Sequence, residues 1–228
     1  MSKCIGILGG ISHESTIKYY EHILTKYYAK KRDYHYPEVV IFSLDLAKLT
    51  EFEDESNIDG YVQYITWGLE SLEKAGADFI VMAANSPHSV FDIVQRKIGI
   101  PMISIVEVTA DEAKRLGMRK LLLTGIKYTM QSPFYKDVFM KHGMDVITPS
   151  EAEQEEINRI IFDELVLGIF KEATRKRLLN LINSYDEDGV ILGCTELPLI
   201  LNQEDTDIRL LNTLEIHAQA ALDFALKE

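Results

Sequence analysis

Cysteine is scarce in this chain: Cys4 and Cys194 are the only two among 228 residues. Neither has a second cysteine or a histidine at zinc-ligand spacing, so no structural zinc is expected. A disulfide between them is not expected in a reducing compartment. Positive charge is also short. Lys and Arg number 24 against 36 Asp and Glu, a formal net charge of -12. That balance argues against nucleic acid or an anionic membrane as a partner, because both select basic surfaces. An anionic substrate would have to be drawn in by local dipoles or a few local cations. Long apolar runs are missing too, and none approaches the ~20 residues a membrane helix requires. The opening MSKCIGILGG lacks the charged, apolar and small-residue zones of a signal peptide, so a cytoplasmic location is expected. No Pro/Gly/Ser-rich linker or low-complexity segment interrupts the chain.

What is present is an alternation of strands and helices. The run CIGILG at 4–9 ends in Gly9-Gly10 and leads into a helical stretch with Tyr19, Tyr20, Ile23 and Leu24 on one side. Strand-like segments follow at 38–44, at FIVMAA after Ala77-Asp78, and at 101–105, with a helix over 58–75. The pattern then restarts: a helix over 107–116, a strand at 120–124, a helix through Tyr128 to His142, and the strand MDVIT. A long helical region over 150–185 breaks at Gly168, a buried strand covers 189–193, and a final helix begins near Leu214. Such alternation implies parallel sheets with right-handed crossovers. ILGG precedes DFIVMAANSPH by about 70 residues, and LLLTG precedes DGVILGCTELP by about the same interval. The expected fold is therefore α/β, with two pseudo-symmetric lobes, each a parallel sheet flanked by helices, and a ligand cleft between them. The first lobe is placed at 1–103 plus 213–228 and the second at 104–212.

In open parallel sheets ligands bind beyond the carboxyl ends of the strands. Here those ends are Gly9–Ser12, Ala84–His88, Thr124–Thr129 and Gly193–Glu196, and helices starting just after them would aim N–H groups and positive dipole ends at a small carboxylate. Cys194 holds the best nucleophile or base position: it ends a buried strand, follows a glycine and precedes an expected helix N-terminus, a placement that lowers a thiol pKa from ~8.5 toward neutrality. Thr195 is read as a helix cap or a substrate-binding hydroxyl, and Glu196 as a first-turn acid. Cys4 is read as buried and inert. Gly9-Gly10 lacks the third glycine of a dinucleotide loop, so NAD is not expected. His88 is read as orienting its loop or donating to a ligand more than as an acid–base catalyst. His13, His22, His35, His142 and His217 show no metal spacing. Tyr19-Tyr20 is read as core and lobe interface.

The segments ILGGISHESTIKYY, MAANSPH, TGIKYTMQSPFY, INRIIFDELVLGIF, LGCTELP and LNTLEIHAQAA resemble the aspartate/glutamate racemases that work without pyridoxal phosphate. The likeness spans essentially the whole chain, and SHEST and KYTMQ resemble a subgroup with broad or L-selective preference for acidic amino acids. The resemblance implies a two-thiol mechanism without any cofactor, in which one thiolate removes the α-proton and the opposite thiol returns one to the other face. It also implies a homodimer. By this likeness Cys194 is the second thiol, and Ala84 occupies the position of the first. Ile11, Ser12, Asn85, Ser86, His88, Thr129 and Thr195 would hold the substrate.

The departures matter. A methyl group at Ala84 neither gives nor takes a proton. Three readings follow: a natural one-thiol enzyme helped by water or a hydroxyl such as Ser86, an engineered knock-out, or a binding-only descendant. Lys48 is the sole cation in LAKLTEFED, Val166 sits in FDELVLG where some relatives place a lysine, and Asn212 stands where an aspartate is common, so the substrate's side chain stays open. The reading adopted is an isomerase, a racemase of aspartate or glutamate. The alternatives are a non-catalytic amino-acid or dicarboxylate binder, or a carbanion enzyme of the hydantoin racemase, malonate decarboxylase or maleate isomerase type.

Overall fold

A computed structural model describes residues 2–227. The chain forms two units, Met1–Ile105 with Leu214–Glu228, and Val106–Thr213. Each holds a four-stranded, all-parallel sheet flanked by helices, the architecture the alternating sequence pattern implied.

In the first unit the strands are β1 (Ile5–Gly9), β2 (Val39–Ser43), β3 (Phe79–Met82) and β4 (Met102–Ile103), in the order β2-β1-β3-β4. The helices are α1 (His13–Lys31), α2 (Leu46–Asp54), α3 (Ile58–Lys74), α4 (Phe91–Gln95) and the C-terminal helix Thr213–Ala225. β1 and β3 are fully buried because both sheet faces are covered. Alternation along each strand divides the core. Ile5, Ile7, Phe79 and Val81 pack with Tyr19 and Ile23 of α1 and with Leu214, Ala218 and Leu222 of the last helix. Leu8, Ile80 and Met82 face Ile65 and Leu69 of α3 and Val94 of α4. Asn57 caps α3 by accepting from the Gly60 N–H at 3.0 Å.

The second unit repeats the plan. Its strands β5 (Lys120–Thr124), β6 (Asp145–Ile147), β7 (Gly189–Leu192) and β8 (Arg209–Asn212) run in the order β6-β5-β7-β8. Its helices are α5 (Ile105–Arg115), α6 (Lys127–Gln131), α7 (Phe134–Lys141), α8 (Glu151–Asp163) and α9 (Glu172–Ile182), which makes the C-terminal helix α10. Leu122, Val190 and Leu192 pack on Ile157, Ile160, Ile161, Leu178 and Leu181. The long helical region does break at Gly168, whose φ of 71° is the left-handed conformation that ends a short 3-10 turn after α8. The sequence pattern did not reveal α2 or β8.

Two expectations fail here. Cys4 is half-buried, not buried, because it precedes β1 at the sheet margin, where its N–H donates to Asp78 at 2.6 Å. The Tyr19-Tyr20 pair splits. Tyr19 is fully buried while Tyr20 is 43% exposed, since consecutive helical positions point about 100° apart.

Tyr19 is tied to a buried histidine. The His217 Nε2–H donates to the Ile103 carbonyl at 2.9 Å, which leaves Nδ1 to accept from the Tyr19 hydroxyl at 2.9 Å. Burial pushes the His217 pKa from 6.5 down to about 4. The unfolded chain therefore takes up this proton first. Its contribution to stability is whole above pH 6.5 and is lost as pH falls toward 4, with a full size of about 3 kcal/mol. The expected outcome is a His217 imidazole that stays neutral at pH 5.5 by NMR, with an unfolding free energy that drops between pH 7 and pH 5; a His217 that titrates like a free imidazole would contradict it.

Candidate active site

The residues singled out from sequence fall into two groups, one in each unit. In the first unit β1 and β3 are neighbours in register, Leu8 beside Met82, so the turns that follow them lie side by side. The β1 turn is shaped by close approach. Gly10 has φ 82°, and a Cβ there would stand 2.2 Å from the Leu44 carbonyl oxygen. Its N–H donates to Thr16 Oγ1 at 2.8 Å, and that hydroxyl donates to the Ser12 carbonyl at 2.8 Å. Ser12 caps α1, its Oγ accepting from the Ser15 N–H at 3.4 Å. Ile11 and Ser12 are buried at this helix start.

Ala84, Asn85, Ser86 and His88 are buried in the turn after β3. His88 is fixed at both nitrogens. Nε2 accepts from the Ile105 N–H at 3.1 Å, so Nδ1 carries the hydrogen and donates to the Ala84 carbonyl at 3.0 Å. Burial, then the neighbouring His217, holds its pKa well below the ordinary imidazole value. This ring is a neutral brace that clamps the Ala84 turn to Ile105 within the same unit.

The same turn has partners that sequence reasoning missed. Tyr61 of α3 is fully buried, and its hydroxyl donates to Glu53 Oε1 of α2 at 2.9 Å, with Ser86 Oγ 3.5 Å away. Burial raises the Glu53 pKa, while hydrogen bonds from Tyr61 and Ser86 work to lower it. Tyr61 read as part of an apolar helix stripe; the one available signal was that a buried tyrosine hydroxyl needs a partner.

In the second unit β5 and β7 pair with Thr124 beside Leu192. Gly193 N–H donates to the Thr124 carbonyl at 2.7 Å. A Cβ on Gly193 would stand 2.6 Å from that oxygen, and one on Gly125 would stand 2.8 Å from the Gly193 oxygen. The two turns interlock because neither carries a side chain at the crossing. Thr129 packs against the Gly193 turn, and its buried Oγ1 has no hydrogen-bond partner among the described residues. An unpaired buried hydroxyl is costly, and a polar ligand group would satisfy it.

Cys194 is 8% exposed, and its Sγ–H donates to Glu196 Oε2 at 2.9 Å. Thr195 Oγ1–H donates to the same oxygen at 3.1 Å. Three expectations are corrected. The thiol is not acidified: burial, then the negative Glu196 carboxylate, push its pKa well above the ordinary thiol range. The expected helix start is absent, because the turn runs into a 3-10 segment of only three residues, Leu197–Leu199, whose dipole is small. Backbone N–H groups of Glu196 and Leu197 favour the thiolate but do not outweigh the carboxylate. Glu196 accepts from both Cys194 and Thr195 instead of serving as a first-turn acid, and the Thr195 hydroxyl is spent on that carboxylate instead of on a helix cap. Of the four strand-end turns, the first alone opens a long helix, α1 of 19 residues. The Ala84 turn opens a five-residue 3-10 segment, and α6 is also five residues long.

The side-chain cation remains unassigned. Lys48 is exposed, with Nζ 5.7 Å from the centre of the Tyr64 ring. Val166 packs against the apolar core of its unit, and Asn212 ends β8. Among the described residues no group of three His, Cys, Asp or Glu side chains converges to hold a metal ion, and no helix is long and apolar enough to cross a membrane.

A fold of two parallel α/β units, each with a polar turn at its central strands, is that of the two-domain acidic amino-acid racemases. The Asp/Glu/hydantoin racemase family model matches residues 8–221, so the chain belongs to that family. It is 27% identical over 221 residues to the broad specificity amino-acid racemase RacX of Bacillus subtilis, with 92% of each chain covered. An aspartate racemase homologue from Pyrococcus horikoshii is 39% identical, superimposes with a TM-score of 0.86 and is covered, like this chain, over 100% of its length. The aspartate racemase of Picrophilus torridus shares the fold, with a TM-score of 0.77 at 22% identity, covering 99% of this chain and 95% of that one.

The carboxylate beside Cys194 sets a measurable property. Glu196→Gln removes the nearby negative charge and is expected to lower the thiol pKa, read as thiolate ultraviolet absorbance against pH in a Cys4→Ser background. An unchanged or raised value would show that burial alone governs the sulfur.

Proposed function

We propose that this chain is an amino-acid racemase acting on aspartate or glutamate without a cofactor, with Cys194 as the acid–base group for one face of Cα. The observation that carries the reading is the buried thiol hydrogen-bonded to Glu196 at 2.9 Å in the turn after β7, next to the unpartnered hydroxyl of Thr129. The resting thiol is protonated and serves directly as an acid. To serve as a base it passes its proton to Glu196 Oε2, and the thiolate then takes the α-proton while the electron pair stays on Cα. A carbanion of this kind needs donors fixed around the carboxylate before the proton leaves. The N–H groups of Ile11 and Ser12, with Asn85 and the Thr129 hydroxyl, are assigned that work, and His88 braces the turn that carries Asn85.

The resemblance puts the other family thiol at Ala84. That methyl group favours a second reading, in which the protein binds an amino acid and turns nothing over. The adopted reading also has the protein working in the cytoplasm as a homodimer.

Proton exchange separates the two readings. In D₂O, the wild type is expected to replace the α-hydrogen of aspartate or glutamate with deuterium, followed by NMR on each enantiomer. Cys194→Ser is expected to slow the exchange of one enantiomer by about 10²–10⁴-fold, the usual range for a lost acid–base group. Thermal stabilisation by an amino acid without any exchange establishes the binder. Full exchange in Cys194→Ser removes the sulfur from the mechanism.

A further inference from the structure

We infer that Ser86, coupled to Glu53 and held by Tyr61, is the acid–base device for the face of the substrate that lacks a thiol. The inference rests on the racemase reading and supplies the half of the reaction which Ala84 cannot perform.

All three side chains belong to one unit and meet at the turn that holds Ala84. Ser86 lies two residues after Ala84 and is 6% exposed. The Tyr61 hydroxyl has one hydrogen, and its 2.9 Å contact with Glu53 Oε1 is far shorter than the 3.5 Å to Ser86 Oγ. Tyr61 therefore donates to the carboxylate. Ser86 lies on the other side of the Tyr61 hydroxyl and favours the charged form of Glu53, so, since a carboxylate only accepts, its hydrogen turns toward that carboxylate. The arrangement is a hydroxyl whose proton already points at a base, with a rigid aromatic holding that base in place. Glu53 sits at the end of α2 and is half-buried, so it retains a route to solvent for its proton. Tyr61, by contrast, is 1% exposed, which makes it a fixed anchor and not a mobile partner.

A serine hydroxyl alone is a poor base, and an adjacent carboxylate is the standard remedy. The step balances as follows. The Cα–H bond breaks, its proton joins Ser86 Oγ, the Ser86 proton moves to Glu53 and the electron pair remains on Cα. The Cys194 thiol then delivers its proton to the other face and is left as thiolate. Glu53 afterwards releases its proton to solvent, and the thiolate regains one through Glu196. In the reverse direction protonated Glu53 returns the proton through Ser86. Ser86 is the catalytic residue in this scheme. Glu53 is a positioning residue that acts through it.

The test is α-hydrogen exchange in D₂O from each enantiomer, in wild type, Glu53→Gln, Ser86→Ala and Glu53→Gln with Ala84→Cys. Glu53→Gln and Ser86→Ala are expected to slow exchange of the enantiomer that Cys194→Ser leaves untouched, by about 10²-fold or more, and to alter the other by no more than a few fold. A thiol at position 84 is expected to restore racemisation to Glu53→Gln, because it removes the need for the hydroxyl. A structural defect would slow both enantiomers together and would not be rescued by sulfur. Thermal melting checks that each variant is folded, and Ser86→Ala carries the same contrast if Glu53→Gln is not. Equal slowing of both enantiomers, wild-type rates in both variants, or failure of the cysteine to rescue overturns the relay alone. Absence of exchange in the wild type overturns the racemase reading, and the relay with it.

Discussion

One hydrogen shared between a buried sulfur and a carboxylate oxygen 2.9 Å away governs what the second unit can do. Burial and the negative Glu196 carboxylate both disfavour the thiolate, so the sulfur keeps its proton at rest. The pair thus holds one proton more than two free anions would, and the resting state is an acid ready to donate. A lone strand-end thiolate would behave in the opposite way and would be exposed to oxidation. Thr195 donates to the same Glu196 oxygen, which fixes the carboxylate and keeps the pair from drifting apart.

That pairing depends on backbone geometry, and the geometry depends on missing side chains. Gly193 and Gly125 let the ends of β7 and β5 cross with atoms about as close as hydrogen bonding permits, and the Gly193 N–H reaches the Thr124 carbonyl at 2.7 Å. Gly10 plays the matching part in the other unit, where Leu44 leaves no room for a Cβ. The buried strands feeding these turns are held by helices on both faces, so turn positions are set by packed cores and not by the turns themselves.

Much of this was legible in the amino-acid order. Continuous apolar runs marked the central strands, and the repeated interval between glycine turn and polar turn exposed the two-unit plan. Cys194 could be found as the thiol ending a buried strand. Its acidity could not, because that depends on which way the Glu196 side chain folds and on how few residues the next helical turn contains. The helix Leu46–Asp54 escaped because its sequence LAKLTEFED has a single fully buried residue, Leu49, and so a weak apolar period. Glu53 escaped with it. Nothing local distinguishes that acid from its neighbours Glu51 and Asp54; only the approach of Tyr61 from the next helix and Ser86 from a distant turn does. His88 shows the converse, a residue whose type suggests catalysis but whose two nitrogens are both committed to backbone.

The two units share a strand order yet hold different proton chemistry. Sulfur with a carboxylate occupies one turn; a hydroxyl with a carboxylate occupies the other. A thiol changes its proton without help near neutral pH far more readily than an alcohol does, since its ordinary pKa is ~8.5. An oxygen device therefore needs a carboxylate as acceptor and an anchor for that carboxylate, whereas a thiol needs its carboxylate only as a proton store. Tyr61 anchors Glu53 in the one unit, and Thr195 donates to Glu196 in the other. In the racemase proposed above, an unequal pair of this kind makes proton removal harder from one face than from the other. Equilibrium between enantiomers is untouched by any catalyst, so the inequality shows in how often an abstracted proton is returned to its original face before it is delivered across.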